Sequence, residues 1–283
     1  MKKVIVITGS SSGFGYLMAQ AFSYSGYSVV ATMRDVAGKN ADAAKYLKTF
    51  PNIEVLELDI TQEGSVKAAV DQIINRHEKI DVLVNNAGVY GSGLLEGYSL
   101  DQFKKIFEVN VYGTLRVTNA VLPGMRKAKD GLIINISSGL GRMSSPFNVP
   151  YNASKFALEG IVEGSYLELI GQGIENVLIE PGPFPTSLWA QAGINADRNE
   201  ITEAYGDSTK EMMQGFSGMF EAAMGKVKPD PQVVVDAALG LISAEKGKRA
   251  LRTPLDLISN GIDKELDSAI AEIKGRILNA YGF

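Results

Sequence analysis

Short apolar runs alternate with amphipathic segments along the first two thirds of this chain. The runs are rich in Val and Ile and too short for helices, as expected of strands buried on both faces of a parallel sheet. Six of them are predicted to be strands, at residues 4–8, 27–32, 53–58, 81–84, 132–136 and 176–180. The segments between them place apolar residues at helical intervals. This order predicts an α/β fold in which helices cover a parallel sheet.

The alternation lapses between residues 188 and 228. This excursion is rich in large apolar side chains, namely Trp189, Met212, Met213, Phe216, Met219, Phe220 and Met224. It is interpreted either as a helical pair that covers the core or as an adaptable lid over an apolar substrate. Beyond it, Asp230-Pro231 predicts the start of a helix, and residues 250–252 predict an edge strand. We expect a single domain over residues 1–283 that contains the excursion.

Composition narrows the classes of function. The net charge is −4 with no run of like charges, which argues against a nucleic-acid-binding surface. The chain has no cysteine and a single histidine, His77, so disulfides, thiol chemistry and a zinc-type cluster are not expected. The apolar run after Lys2 and Lys3 ends too early for a secretory signal, and no run approaches membrane-spanning length. We therefore expect a cytoplasmic protein without a metal, membrane or nucleic-acid partner.

A glycine-rich loop joins the first predicted strand to the first predicted helix. It reads Gly9-Ser10-Ser11-Ser12-Gly13-Phe14-Gly15. Glycines let the backbone approach a ligand closely, and the free N–H groups and dipole of a helix N-terminus favour an anion. The order strand, loop, helix therefore predicts a phosphate site, with an ordinary strand-to-helix turn as the alternative. The spacing differs from the G-x-G-x-x-G fingerprint.

Tyr151 and Lys155 open a predicted helix just after Pro150. Four residues apart, they share one helix face and can contact the same small molecule. A phenol has an unperturbed pKa of about 10, so it is a poor acid–base catalyst near neutral pH unless its anion is stabilised. The ammonium of Lys155 can supply that stabilisation. The pair predicts proton transfer, although such pairs also occur by chance in helices.

Taken in order, these and further motifs resemble the short-chain dehydrogenase/reductase family. The family's Thr-Gly-x-x-x-Gly-x-Gly loop corresponds to residues 8–15, and its Tyr-x-x-x-Lys pair to residues 151–155. Asn-Asn-Ala-Gly at 85–88, Asn-x-x-Gly at 110–113 and Pro-Gly-x-x-x-Thr at 181–186 follow the same order. Each motif alone is weak, whereas their ordered conjunction over residues 1–190 is specific. The resemblance implies a Rossmann-type, doubly wound parallel sheet of about seven strands with helices on both faces.

The resemblance implies four catalytic residues, Asn110, Ser138, Tyr151 and Lys155. Ser138 would orient and polarise a carbonyl, and Tyr151 would protonate the forming alkoxide. Lys155 would lower the tyrosine pKa and hold the nicotinamide ribose, and Asn110 would connect a water to that lysine. The residues alone leave alternatives open, because Asn110 can be a buried amide with structural partners and Ser138 can simply end a strand.

The same resemblance implies a bound dinucleotide cofactor. The residues expected to contact it are Gly9, Ser11, Ser12, Gly13, Phe14, Gly15, Arg34, Asp59, Ile60, Asn86, Ala87, Gly88, Tyr151, Lys155, Pro181, Gly182, Phe184 and Thr186. At the end of the second strand, Met33 takes the place of the acidic residue of NAD-using relatives, and Arg34 follows it. NADP is therefore favoured. NAD remains the alternative, because Asp35 lies nearby and Ser12 stands where many NADP-using relatives carry a basic residue.

These expectations converge on an NADP(H)-dependent oxidoreductase. Hydride would pass between the nicotinamide and an apolar ketone, aldehyde or secondary alcohol, with Tyr90, Leu140 and Phe147 as suspected pocket residues. One alternative is an NAD-dependent hydroxysteroid or alcohol dehydrogenase. Another is a non-catalytic dinucleotide-sensing regulator, which the presence of all four catalytic residues disfavours.

The resemblance also implies a homodimer or homotetramer. The predicted helix from Tyr151 carries small residues along one side, namely Ala153, Ala157, Gly160 and Gly164. Small residues allow close backbone approach, so this side suits an interface between copies. Packing on the sheet would explain the same residues.

Overall fold

The computed structural model describes residues 2–186 and 193–282. Within them, seven parallel strands form one sheet in the order β3-β2-β1-β4-β5-β6-β7. The strands are β1 Val4–Thr8, β2 Ser28–Met33, β3 Ile53–Glu57, β4 Val82–Asn85, β5 Gly131–Ile136, β6 Ile174–Pro181 and β7 Arg252–Leu255. The chain winds outwards from β1 in both directions, so a crevice opens between β1 and β4 at the C-terminal ends of the strands. The predicted Rossmann-type sheet is confirmed.

Helices lie on both faces of this sheet. They are α1 Gly13–Tyr24, α2 Ala41–Leu47, α3 Glu63–His77, α4 Leu100–Phe107, α5 Thr114–Ala128, α6 Val149–Ile170, α7 Asn199–Ala204, α8 Asp207–Val227, α9 Gln232–Ser243 and α10 Ile262–Tyr281. A π-helical turn, Glu108–Gly113, joins α4 to α5, and a 3₁₀ turn, Gly139–Gly141, follows β5. In the part of the chain that is described, none of these helices combines the length and apolarity needed to cross a membrane.

Alternate strand residues face two separate cores, one on each side of the sheet. Ile5 and Ile7 of β1 pack in one core with Phe22 of α1 and with residues of α9. Val4 and Val6 face the other core, which α3 and α5 cover. Because both faces are covered, both sets of side chains are apolar, which explains the continuous Val and Ile runs of the sequence.

The last strand differs from its prediction. β7 begins at Arg252, whereas the expected strand ended there, and Pro254 lies within it. An edge strand tolerates proline because one side of its backbone forms no ladder hydrogen bonds. Its residues are only half-buried, whereas those of β6 are all buried. A half-buried edge strand has no continuous apolar run, so the pattern could not place it.

The excursion holds two helices, α7 and α8, and neither has a buried residue. The pair therefore does not form a layer of the core. Phe216 and Phe220 of α8 instead pack against each other, with ring centroids 4.9 Å apart. The expected contributions of Leu188 and Trp189 lie outside the described residues.

The small residues along one side of α6 were interpreted either as an interface between copies or as packing on the sheet. The structure contradicts packing on the sheet for two of them. Gly160 and Gly164 are exposed, and an added Cβ at either position would meet no atom within 4 Å. Close packing on the sheet therefore does not explain these two glycines.

Candidate active site

A cavity of about 1070 Å³ opens at the C-terminal ends of the strands. The loops after β1 to β6 line it, together with α6 and α8. Of the residues that the sequence predicts for the site, only Gly15 and Asn110 do not line the cavity. Six separate loops thus bring the predicted residues to one place, as a doubly wound sheet does at its switch point.

The glycine loop approaches the loop after β4 closely at Gly9. This residue has φ +69°, and an added Cβ would lie 2.8 Å from the Cα of Ala87. Gly15 packs more closely still, because a Cβ there would lie 2.4 Å from the side-chain nitrogen of Asn86. Gly15 therefore faces the loop that follows β4, which explains why it does not line the cavity.

The N-terminus of α1 is open toward the cavity. Ser12 is its N-cap residue, and the Ser12 side chain forms no capping hydrogen bond. Ser11, Ser12 and Gly13 all line the cavity. Uncapped N–H groups at a helix start are donors for an anion, so the loop fits the pyrophosphate of a dinucleotide.

Asn86 braces the glycine loop from the neighbouring strand. Its side-chain nitrogen donates to the carbonyls of Thr8 and Gly9 at 2.9 and 3.0 Å. The backbone N–H groups of Asn86 and Ala87 donate to the Thr8 hydroxyl at 3.0 and 3.1 Å. These bonds fix the separation of β1 and β4 where the cavity begins.

The loop after β2 carries two cations at the cavity wall. Arg34 and Lys39 both line the cavity. Asp35 does not, because its carboxylate turns back and accepts a hydrogen bond from the backbone N–H of Lys39 at 2.7 Å. Asp35 itself has φ 51°. Arg34 was predicted from the sequence. Lys39 was not, because a lysine in a surface turn carries no distinguishing signal.

Tyr151 and Ser138 meet at the cavity wall. The Ser138 hydroxyl accepts a hydrogen bond from the backbone N–H of Leu140 at 3.1 Å. Burial raises the pKa of Tyr151 to about 12, and the nearby Ser138 hydroxyl opposes that rise. The phenol is therefore protonated at neutral pH.

Lys155 lies beside the tyrosine ring, with Nζ 5.7 Å from the ring centroid. Nζ donates to the carbonyl of Ile136 at 2.8 Å. Burial lowers the pKa of Lys155 to about 8, and the nearby Glu159 carboxylate acts in the opposite direction. Burial of the phenol raises the pKa of Tyr151, and the expected lowering of that pKa by the Lys155 ammonium stays a prediction.

Asn110 sits in the π-helical turn between α4 and α5, which interrupts the regular α-helix. Its side-chain nitrogen donates to the Val89 carbonyl at 2.9 Å and to the Ser154 hydroxyl at 3.0 Å. Its oxygen accepts from the Val89 N–H at 2.8 Å. Protein groups thus satisfy the amide, as its structural interpretation requires. The water relay to Lys155 stays a prediction.

The cavity wall also has a large apolar part. Residues from four segments form it, namely Leu140, Met143, Pro146, Phe184, Ile194, Phe216 and Phe220. Of the suspected pocket residues, Leu140 lines the cavity, whereas Tyr90 and Phe147 lie one layer behind it. Phe147 packs edge-on against Phe216, and Tyr90 packs edge-on against Tyr151, at centroid distances of 5.7 and 5.1 Å.

Comparison with known proteins agrees with this geometry. The family model for short chain dehydrogenase matches residues 3–197. The chain is 35% identical to the uncharacterized oxidoreductase YusZ of Bacillus subtilis, over 90% of this chain and 89% of the relative. It is 39% identical to 3-ketodihydrosphingosine reductase of Bacteroides thetaiotaomicron, over 73% and 72%. It is 34% identical to human retinol dehydrogenase 8, over 86% and 79%.

A solved structure gives the same picture. The structure of ElxO with NADP bound superposes with a TM-score of 0.73 at 26% identity, covering 91% of this chain and 97% of that one. Sequence family, fold and the arrangement of the cavity therefore agree.

Proposed function

Because this chain belongs to the short-chain dehydrogenase family and is an oxidoreductase of the NAD(P)-dependent type, we propose that it is an NADP(H)-dependent carbonyl reductase. One observation carries the proposal. Tyr151, a buried phenol that is protonated at neutral pH, lies beside the Ser138 hydroxyl at the wall of a cavity that Lys155 also lines. A protonated acid next to a second hydroxyl is what carbonyl reduction requires.

The proposed mechanism uses three side chains. The nicotinamide supplies the hydride when it is bound. The Ser138 hydroxyl donates a hydrogen bond to the substrate carbonyl oxygen, which polarises the carbonyl and fixes its orientation. Tyr151 gives its proton to the same oxygen as the alkoxide forms, a step that typically contributes about 10²- to 10⁴-fold. Lys155 stabilises the resulting phenolate when its ammonium is protonated, and its lowered pKa, about 8, lets it exchange protons near neutral pH.

The residues of the cavity fit a dinucleotide with a 2′-phosphate. The approach of Gly9 to Ala87 and the uncapped start of α1 suit a pyrophosphate. Arg34 and Lys39 offer two cations where the adenosine ribose would lie, and no carboxylate from the same turn lines the cavity. Preference for NADP over NAD is therefore part of the proposal.

The substrate we propose is a large apolar ketone or aldehyde. The apolar part of the cavity wall includes Leu140, Met143 and Pro146, and α8 contributes Phe216 and Phe220 from outside the core. Two relatives are named for a keto derivative of a long-chain base and for retinol, which are both extended apolar molecules. We interpret residues 193–228 as the described part of a lid over this side of the cavity.

The test is NADPH and NADH oxidation by the wild type and by Tyr151→Phe, with a panel of ketones and aldehydes of increasing chain length. We expect NADPH-dependent turnover in the wild type and a loss of about 10²- to 10⁴-fold in the variant. Tyr98→Phe is the matched control, because Tyr98 is also buried but does not line the cavity. Equal activity in Tyr151→Phe would overturn the mechanism.

A second candidate is the reverse reaction, oxidation of an apolar secondary alcohol. The relative named retinol dehydrogenase supports it. Oxidation needs the phenolate of Tyr151 as a base, so it should become faster as pH rises. A kcat/KM for alcohols with NADP that exceeds the kcat/KM for the matching carbonyls with NADPH at the same near-neutral pH would establish this candidate instead.

We also infer that the protein works as a homodimer through α6. Gly160 and Gly164 are exposed on this helix, together with Phe156 and Leu167. Exposed apolar side chains beside glycines make a flat face on which a second copy can pack closely. A dimer interface would explain the small residues of α6 that do not pack on the sheet.

A further inference from the structure

A buried ionic network lies behind the cavity wall. Nη1 of Arg142 is 3.0 Å from Oε1 of Glu180, and Nε of Arg252 is 3.2 Å from the same oxygen. Nε of Arg252 also lies 2.9 Å from Oε2 of Glu159. The four side chains are between 3% and 10% exposed. Two arginines and two glutamates thus share one site inside the protein.

The C-terminal helix closes this network from outside. Asp267 of α10 lies 3.0 Å from Nη1 of Arg142. Lys274 of α10 and Arg252 both contact Glu163 of α6 at 2.5 Å. α10 has no buried residue. It is linked to the rest of the molecule by these ionic contacts and by hydrogen bonds that Asp263 accepts from the Asp256 N–H and the Ser259 hydroxyl. Its position therefore depends on polar contacts.

The network contacts two segments that the proposed mechanism uses and the predicted cofactor-binding loop after β6. Arg142 ends the 3₁₀ turn that begins just after Ser138, which we call the serine turn. Glu180 is the penultimate residue of β6, next to the loop that begins with Gly182. Glu159 lies one helical turn after Lys155 on α6, and its carboxylate acts on the pKa of that lysine. One cluster of charges is thus connected to the serine turn, to the loop after β6 and to the tyrosine–lysine helix.

Stability alone does not account for such a network. Buried ion pairs often contribute little to folding, because the charges must be removed from water. Nη2 of Arg142 and Oε1 of Glu159 have no hydrogen-bond partner among the described residues. Asp267 and Glu163 bring the carboxylates to four, against the three cations Arg142, Arg252 and Lys274, and burial raises the pKa of Glu180. A core designed only for stability would use apolar side chains here.

We infer that Arg142 is a positioning residue, which with Glu180 and Asp267 sets the serine turn and the loop after β6 relative to Tyr151 and Lys155. In this view α10 is part of the active-site support. The inference rests on the proposed function, because it assigns these segments to the reaction. It predicts that weakening the network changes the geometry of the site before it changes the fold.

The chain supplies a matched control at the opposite end of β6. Arg249 pairs with Glu175, and their side chains are 6% and 1% exposed. Glu175 and Glu180 belong to the same strand, five residues apart, which corresponds to about 16 Å along it. Both pairs are buried Arg–Glu contacts, but only one lies at the cavity end.

The experiment compares Arg142→Met with Arg249→Met. Thermal unfolding, kcat and KM for the carbonyl substrate and for NADPH, and amide hydrogen exchange would be measured on the full chain. We expect both variants to lower the melting temperature. Only Arg142→Met should lower kcat, by about 10- to 100-fold, and speed exchange of the Leu140 and Gly141 amides. Arg142→Lys should restore part of kcat, because it keeps the charge. Equal kcat losses in Arg142→Met and Arg249→Met would overturn the inference.

A milder variant tests the inference if Arg142→Met does not fold. Asp267→Asn removes one outer charge from α10 and leaves Arg142 paired with Glu180, so we expect a two- to fivefold lower kcat with little change in melting temperature. An unchanged kcat together with unchanged exchange in the serine turn would count against the role of α10. If the wild type turns over no carbonyl, the proposed function fails separately. Hydrogen exchange then decides the positioning role alone.

Discussion

The cofactor half and the substrate half of the cavity are built from different structural elements. The cofactor half consists of strand ends and backbone, where a Cβ on Gly9 would lie 2.8 Å from the Cα of Ala87. The substrate half depends on side chains of α8, a helix without a buried residue. The packing of the whole sheet fixes the first half, whereas a few surface contacts fix the second. The first half thus suits one ligand of constant shape, and the second can change its ligand without disturbing the fold.

A Gly→Ala substitution in each half of the cavity should give the largest difference between the two halves. Gly9→Ala forces an L-residue to φ +69° and places its Cβ against Ala87. We expect NADPH affinity to fall by about a hundredfold or more and the free energy of unfolding by about 1–3 kcal/mol. In α8, an added Cβ at Gly215 meets no atom within 4 Å. Gly215→Ala should therefore leave NADPH binding unchanged and stabilise the protein by about 0.5–1 kcal/mol.

Fluorescence titration with NADPH and urea unfolding would measure both effects. The pair is informative because the chemical change is the same and only the surroundings differ. Normal NADPH affinity in Gly9→Ala would show that the glycine loop does not hold the phosphates.

The same contrast explains how much the sequence predicts. A pyrophosphate favours glycines at a helix start, so Gly9 and Gly13 were predicted from the order strand, loop, helix. Asn86 was predicted from the family resemblance. All three line the cavity. The strands were predictable for a related reason, because burial on both faces leaves a continuous apolar run. Only β7, half-buried at the edge, was misplaced.

Features that depend on how the fold surrounds a side chain were not predictable. Lys39 reaches the cavity only because the turn after β2 folds back on the Asp35 carboxylate. Arg142 and Asp267 meet although they are far apart in the chain. The pKa of Tyr151 depends on how deeply the fold buries it, which the spacing to Lys155 does not reveal. In each case the sequence shows the residue type but not the residues that surround it in the fold.

A smaller effect would test the charges of the cofactor half. A hydrogen bond to a charged group contributes about 1.5–3 kcal/mol, so Arg34→Asp should weaken NADPH binding by about 10- to 100-fold and favour NADH. Lys39→Met should act in the same direction but more weakly, because the other cation remains. Lys45→Met is the control, since Lys45 is exposed on α2 and does not line the cavity. Kd values for both cofactors would be compared. An unchanged preference in Arg34→Asp would refute its role at the 2′-phosphate.

The smallest expected effect lies in the substrate half. Phe216 lines the cavity and packs against Phe147 and Phe220. Phe216→Ala removes apolar contact area, so KM for a long apolar ketone should rise about tenfold while NADPH affinity stays constant. Met219→Ala is the control, because Met219 is 65% exposed on the same helix and does not line the cavity. A short ketone cannot reach α8, so its KM should be unaffected. Equal effects on short and long ketones would mean that α8 supports the fold and does not contact the substrate.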